Sequence, residues 1–369
     1  MLEDKVITEK KKRSAGGVMV LTLLMIAFII FGIFIVLKTI GGRSLHKPVE
    51  GLETSHVIVS ESLAGNAGIS GLADGHVTMD GVEYIPNADL ICILVMGIDK
   101  ETALEIGGQS WTAEEGSNNT GGQADALFLL LLNPHDETVR VVGINRNSMA
   151  EVDVWDKEGN YKGLFTQQIA LQHGYGSDQA ECAQHQVRAV SRMFYNIPIH
   201  AYAAVSMDSI PELNDAVGGV TVEVLDDIIY PEYEMDLHQG DTVTLMGEKA
   251  YWYVRLRNEN VFNSNALRLE RQKQYLTCFA ARARECVNGD VNAAVELFQL
   301  LQKYMVTDLN LSSYTYLISE TMEYEFDADY LYTVPGETVM GNDFEEYYVD
   351  DEALQRLIVD LFYEPVTSY

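Results

Sequence analysis

The sequence predicts an α/β domain carried behind one N-terminal membrane-spanning helix. Three observations lead there. Val18 to Leu37 is an apolar run of 20 residues, interrupted only by Thr22 and Gly32. From Ala88 onward, short apolar runs alternate with helix-like stretches, the pattern of a sheet packed between helices. Hydrophobic residues make up 47% of the 369, enough for a globular core.

The elements follow in order. Residues 1–17 are polar and hold Lys10-Lys11-Lys12-Arg13. The run after them matches the hydrocarbon thickness of a bilayer, and the positive charge ahead of it keeps the N-terminus in the cytoplasm. It exceeds a usual signal-peptide core, and no small-x-small cleavage site follows. An uncleaved signal-anchor over 18–38 is therefore expected, with a cytoplasmic tail over 1–17 and the C-terminal bulk outside the cell membrane. Residues 39–87 mix Gly, Ser, Glu and short apolar pieces and suit a stalk, with a hairpin around Val77 to Tyr84. Residues 88–369 form the domain.

Within it, Leu90 to Ile98 is a buried-strand run ending at Asp99, followed by a polar loop from Lys100 to Gly122. Asp125 opens a second strand, Ala126 to Leu132. Asn133-Pro134-His135-Asp136 is a turn, and Val139 to Ile144 is a third strand ending at Asn145-Arg146-Asn147. Ser177 or Asp178 caps a helix running to Tyr195. A strand (Ala201 to Val205) precedes a helix (Met207 to Ala216) stopped by Gly218-Gly219, then a strand (Val220 to Val224). Leu245 to Ala250 is a short helical piece, and Tyr251 to Arg257 is aromatic and β-branched, which predicts a strand. Helices are expected over Arg268 to Cys286, Val291 to Tyr304 and Glu352 to Phe362, with a late strand–turn segment at Pro335-Gly336.

Charge narrows the function. The formal net charge is -30, and residues 1–49 hold 8 of the 25 basic side chains but only 3 of the 55 acidic ones. Such a surface repels nucleic acid. A polyanion binds only where scarce positive charge concentrates or a divalent cation helps. The stretch Tyr253 to Gln272 is that place, with Arg255, Arg257, Arg268 and Arg271. On a strand, Arg255 and Arg257 share a face; on a helix, Arg268 and Arg271 share one. Two such pairs make a socket for a pyrophosphate, because the guanidinium fork donates twice to one phosphate. The competing reading pairs these arginines with surface carboxylates.

Asp99 ends one strand and Asp125 begins the next, so in antiparallel neighbours both lie at one edge of the sheet. Two carboxylates there can hold a Mg²⁺ that completes its shell with water and phosphate oxygens. Two ordinary turn aspartates are the simpler reading of the spacing alone. Arg146 adds a cation nearby. No P-loop, GxSxG or HExxH motif is present. Cys92, in a strand-like run, is expected as a buried free thiol. Cys278 and Cys286, eight apart on one helix, are too distant to bridge each other.

These residues carry a family resemblance. The ordered series Leu94-Val95-Met96-Gly97-Ile98-Asp99, Gln123-Ala124-Asp125-Ala126, Ile144-Asn145-Arg146-Asn147-Ser148, Leu213 to Val220, Leu245 to Ala250, Tyr253 to Arg257 and Arg268-Leu269-Glu270-Arg271-Gln272 resembles the LytR-CpsA-Psr proteins of the bacterial envelope. The resemblance implies a three-layer α/β/α sandwich with an apolar groove for a polyprenyl chain. It implies a phosphotransferase that moves a glycopolymer from a polyprenyl-pyrophosphate carrier to peptidoglycan. Asp99 and Asp125 would hold Mg²⁺, and Arg146, Arg255, Arg257, Arg268 and Gln272 the pyrophosphate. Asp125, Arg146 and Arg255 would be catalytic.

The chain departs from the family at three positions. Gln123 stands where an arginine is usual, and Asn147 and Asn265 stand where aspartates are usual. The metal aspartates and most arginines remain, which favours an enzyme. A non-catalytic envelope protein that binds a polyprenyl phosphate or wall polymer, of the transcriptional-attenuator type, is the alternative.

Overall fold

The computed structural model describes residues 32–52, 69–71, 75–99, 122–156, 158–258, 261–288, 291–321, 324–326, 328–342 and 344–366. Most of the expected membrane span (residues 18–31) and of the polar loop after Asp99 (residues 100–121) lies outside them. Among the described residues no helix is long and apolar enough to cross a membrane.

The chain enters as helix α1 over 32–45. Three short strands follow, β1 (Ile69–Gly71), β2 (Val77–Met79) and β3 (Val82–Pro86), and then three long ones, β4 (Ile91–Asp99), β5 (Gln123–Asn133) and β6 (Thr138–Ile144). The hairpin β7 (Met149–Trp155) and β8 (Tyr161–Gln168) precedes α2 (Gln179–Met193), β9 (Ala201–Ser206) and α3 (Ile210–Ala216). Four short strands come next: β10 (Val220–Glu223), β11 (Ile228–Tyr230), β12 (Met235–Leu237) and β13 (Thr242–Leu245). Helices α4 (Glu248–Arg255), α5 (Ser264–Val287) and α6 (Val291–Lys303) lead to β14 (Met305–Thr307) and α7 (Leu311–Thr321). The chain ends with β15 (Leu331–Thr333), β16 (Gly336–Met340), β17 (Glu345–Val349), α8 (Asp351–Phe362) and β18 (Tyr363–Pro365).

A six-stranded sheet, in the order β14-β9-β4-β5-β6-β15, forms the middle layer. Its central strands are covered on both faces, so they read as nearly continuous apolar runs. One face, with Leu94, Met96, Leu127, Leu129 and Val142, packs on Ala183, Val187 and Val190 of α2 and on Leu354 and Ile358 of α8. The alternate residues meet Leu45 of α1 and Leu317 of α7 at one end, and Leu269 and Leu276 of α5 at the other. Helices on both faces give the expected α/β/α layering. Asp178 caps α2 by accepting from Glu181 N at 2.9 Å. Cys92 is a buried free thiol, as expected.

Two expectations change. Tyr251 to Arg257 is not a strand: Tyr251 to Arg255 complete α4, and the chain turns extended at Leu256. The propensity signal was overridden by packing, because Ala250, Tyr253 and Val254 are buried at helical spacing. The expected stalk over 39–87 also contributes to the domain. Its hairpin forms as β2 and β3, and β3 pairs antiparallel with the C-terminal strand β18. Leu45 is buried, and a Cβ added at Gly41 would come within 1.9 Å of Ser312 O. That glycine lets α1 lie directly against α7.

Ile358 lies fully buried between α8 and the sheet. Ile358→Ala is expected to lower stability by about 2–5 kcal/mol, seen as an earlier urea midpoint with an unchanged slope.

Candidate functional site

The site forms where α4 ends. The last four carbonyls of an α-helix have no partner within it. Here Tyr253 O accepts from Arg271 Nη1 at 2.5 Å, Val254 O from Gln272 Nε2 at 3.1 Å, and Arg255 O from Arg268 Nη1 at 3.5 Å. Leu256 O also accepts from Arg271 Nη2. Three residues of α5 thus take up the exposed end of α4, whose dipole favours cations there. Arg271 is 1% exposed, and its Nε lies 3.1 Å from Asp226 Oδ1. It belongs to this clamp and not to a phosphate socket, a correction to the grouping of all four arginines.

The clamp sets the other arginines in place. Arg255 closes α4 with Nη2 2.8 Å from Asp99 Oδ2, and it donates to the Tyr251 hydroxyl. Arg257, just beyond the helix, reaches Ser264 Oγ at 3.4 Å. Arg146 Nη1 lies 3.0 Å from Asp125 Oδ1, while Nη2 donates to Gln123 Oε1. Arg268 is buried, and burial first, then the charges of Arg146, Arg257 and Arg271, pushes its guanidinium down to about 10 against the pull of Asp125. It remains charged at neutral pH. These couplings bring Arg146, Arg257, Arg268 and Asp125 into one field.

Asp99 and Asp125 stand at the same end of adjacent antiparallel strands. The pairing steps from Gly97↔Ala126 to Ile98↔Ala124, which leaves Asp125 as the extra residue of a β-bulge. A bulge re-aims side chains: Ala124 joins the α2 side of the sheet, whereas Ala126 faces α5. Spacing alone does not show this bulge. Among the described residues no group of three or more His, Cys, Asp or Glu could hold a metal. Two carboxylates at the same end of adjacent strands, with arginines beside them, still fit Mg²⁺, which takes one or two carboxylates plus phosphate oxygens.

Behind these charges lies an apolar cavity of about 190 Å³ between the sheet and α5. Val95, Phe128, Ile210, Val254, Leu276 and Phe279 line it, with Gln272 the polar residue of α5 in its wall. Gly97 and Ala126 also line it, two residues from Asp99 and one from Asp125.

Sequence reasoning missed Glu345. Its Oε1 accepts from Asn263 N at 2.7 Å and its Oε2 from Asn265 Nδ2 at 3.1 Å, while Asn265 Oδ1 accepts from Arg268 Nη2 at 2.8 Å. The amide joins an arginine to a carboxylate brought in by β17. No sequence signal marks this, since 80 residues separate the two.

The profile of the LytR_cpsA_psr family matches residues 68–361. This chain belongs to that family. A relative from Oceanobacillus iheyensis, named polyisoprenyl-teichoic acid–peptidoglycan teichoic acid transferase TagU, is 24% identical over 361 residues, covering 94% of this chain and 93% of its own. Among solved structures, a protein from Streptococcus agalactiae aligns with a TM-score of 0.55 at 21% identity, over 73% of this chain and 87% of that one. TagV of B. subtilis aligns at 0.54 and 20%, over 73% and 96%. These likenesses agree with the LytR_cpsA_psr assignment at the level of fold.

Three substitutions separate the roles. Arg271→Ala strips partners from two carbonyls and Asp226, and is expected to destabilise the protein by about 3–5 kcal/mol. Burial lowers both guanidinium groups, but at Arg268 the charges of Arg146, Arg257 and Arg271 add to it. The buried charge of Arg268 thus costs stability at every pH below about 10. Arg268→Met removes that cost together with the donors to Arg255 O and Asn265 Oδ1, so the urea midpoint is expected to move by no more than the equivalent of about 1 kcal/mol, while any stabilisation by added pyrophosphate disappears. Asn265→Asp restores the usual family residue yet sets two carboxylates face to face. We expect pyrophosphate to bind about tenfold more weakly and Glu345→Gln to reverse the loss; calorimetry showing tighter binding by Asn265→Asp alone would contradict the bridge.

Proposed function

We propose that this chain is a membrane-anchored phosphotransferase that moves a glycopolymer from a polyprenyl-pyrophosphate carrier onto a hydroxyl of peptidoglycan. The observation that carries this reading is the gathering of Arg146, Arg257 and Arg268 in one field, with Arg255 on Asp99, close in the fold to an apolar cavity whose wall holds Val254 and Gln272. A polyprenyl pyrophosphate has that polarity, a greasy tail joined to a dianionic or trianionic head. The relative's name, a transferase of teichoic acid to peptidoglycan, supports the same substrate class. At about 190 Å³ the cavity is smaller than the ~300–1,000 Å³ of typical ligand pockets. It takes the first part of the tail next to the head, and the remainder extends outward.

Phosphoryl transfer needs positioning and charge neutralisation more than covalent help from the protein. The arginines would hold the pyrophosphate oxygens. Arg255 and Arg146 now pair with Asp99 and Asp125; in the loaded enzyme each exchanges a carboxylate for a phosphate. Asp99 and Asp125 would then hold Mg²⁺, which would supply positive charge to neutralise the phosphates. The acceptor oxygen forms a bond to the phosphorus that bears the glycan. The bond from that phosphorus to the polyprenyl phosphate breaks, and polyprenyl phosphate leaves. Asp125 takes the proton of the acceptor hydroxyl.

An anchor over 18–38 would place the domain outside the cell membrane and close to it. Ile33, Phe34, Ile35 and Val36 of α1 are large, apolar and exposed, as expected where a membrane segment emerges. Lys38 Nζ lies 2.5 Å from Glu320 of α7, so α1 docks on the domain without a slack linker. The acidic surface argues against nucleic acid as a partner.

With lipid-linked glycan, peptidoglycan acceptor and Mg²⁺, the full chain is expected to transfer label to peptidoglycan, and a chelator to stop it. Arg255→Ala is expected to lower kcat/KM by about 10²–10³. Equal transfer by wild type and Arg255→Ala sinks the enzyme reading and leaves a lipid-binding protein. Leu276→Trp fills the cavity without touching a charge. It should weaken polyprenyl-phosphate binding at least about tenfold while inorganic pyrophosphate binds as before.

A further inference from the structure

Each arginine gathered at the site donates to an acceptor that carries no charge. Arg146 Nη2 donates to Gln123 Oε1, Arg257 Nη1 to Ser264 Oγ at 3.4 Å, and Arg268 Nη2 to Asn265 Oδ1 at 2.8 Å. For Arg255 the neutral acceptor is the hydroxyl of Tyr251, to which Nη1 donates, while Nη2 lies 2.8 Å from Asp99 Oδ2. Tyr251 stands four residues earlier on α4, and one helical turn brings the two side chains together on one face.

Tyr251 is held firmly. It is buried, its ring meets that of Trp252 edge-on at 4.8 Å, and Trp252 stacks on Tyr233 at 4.0 Å. The guanidinium carbon of Arg255 lies 5.2 Å from the centre of the Tyr251 ring and 5.9 Å from that of Trp252, within the range where an aromatic face attracts a cation. A hydroxyl and two rings therefore hold one end of the guanidinium, and Asp99 holds the other. The two ends differ in chemistry. A carboxylate neutralises the cation it pairs with, whereas a phenol orients it and leaves its charge intact for a ligand.

We propose that Tyr251 is the positioning residue of Arg255: its hydroxyl keeps Nη1 in place while Nη2 exchanges Asp99 for a phosphate oxygen of the donor. The inference deepens the transferase reading above and rests on it. Because Nη1 stays bound, the guanidinium pivots about a fixed point and does not have to be ordered anew when the ligand arrives. Such preorganisation is what makes a charged donor effective. Without the hydroxyl, Nη1 is free to turn to Asp99 as well, since the planar fork fits both oxygens of one carboxylate. Asp99 then holds the arginine more firmly against the incoming anion.

The test is a double-mutant cycle on the full chain in detergent, with inorganic pyrophosphate as the probe and calorimetry as the readout. Tyr251→Phe keeps the ring and removes only the hydroxyl. It is expected to weaken pyrophosphate about tenfold, the equivalent of one hydrogen bond to a charged group, with the thermal midpoint unmoved. In an Arg255→Ala background the same substitution is expected to change nothing, because the residue through which it acts is gone. An equal loss in both backgrounds overturns the proposal, since Tyr251 then acts on the ligand directly or on the fold. Binding by Tyr251→Phe that matches wild type overturns it too. If wild type itself binds no pyrophosphate, the transferase reading fails, and this inference falls with it.

Discussion

The site depends on how one short helix ends. An eight-residue helix is too short to be stable by itself, and its C-terminal carbonyls need donors. Helix α5 supplies them from Arg268, Arg271 and Gln272, spaced three and one apart so that all reach the same turn of α4. Hydrogen bonds from charged donors contribute about 1.5–3 kcal/mol each, so the α4–α5 junction is firm. It points Arg255 at the carboxylate end of the sheet and leaves Arg257 where the chain turns extended. Cations that would repel each other are thereby held within one field.

That repulsion is functionally informative. Burial and three neighbouring arginines push Arg268 down, so its charge is poorly accommodated where it stands. Local destabilisation of this kind is common where a binding site awaits its counter-ion. Asp125, the extra residue of the bulge in the central sheet, relieves part of it, and Asp99 at the same strand end pairs with Arg255. Packing around the cluster, rather than full pairing of its charges, holds these arginines together.

The departures from the family pattern fit this logic. Gln123 accepts from Arg146, and Asn265 accepts from Arg268. Each amide still orients an arginine, so the orienting role survives the loss of charge at Asn265. Glu345, delivered by the β16–β17 hairpin, stands beyond Asn265 and gives the N-terminus of α5 an acceptor that its own Asn263 side chain does not provide. The late hairpin is therefore tied to the arginine cluster and is more than a closing edge of the fold.

The sequence alone determined the layering, the long strands and the α2 cap, because apolar periodicity and order of motifs are local properties. It also placed Asp99 and Asp125 at one sheet edge, since antiparallel pairing follows from a short list of strand ends. Tertiary structure decided the rest. Tyr251 to Arg255 became helix because burial of Ala250, Tyr253 and Val254 outweighed β propensity. Arg271 was separated from its neighbour Arg268 because one faces α4 carbonyls and Asp226 while the other faces Asn265 and the carboxylate end. Glu345 joined them across 80 residues of chain. Which arginine binds a ligand and which binds the backbone depends on what lies opposite, and only the packed structure fixes that.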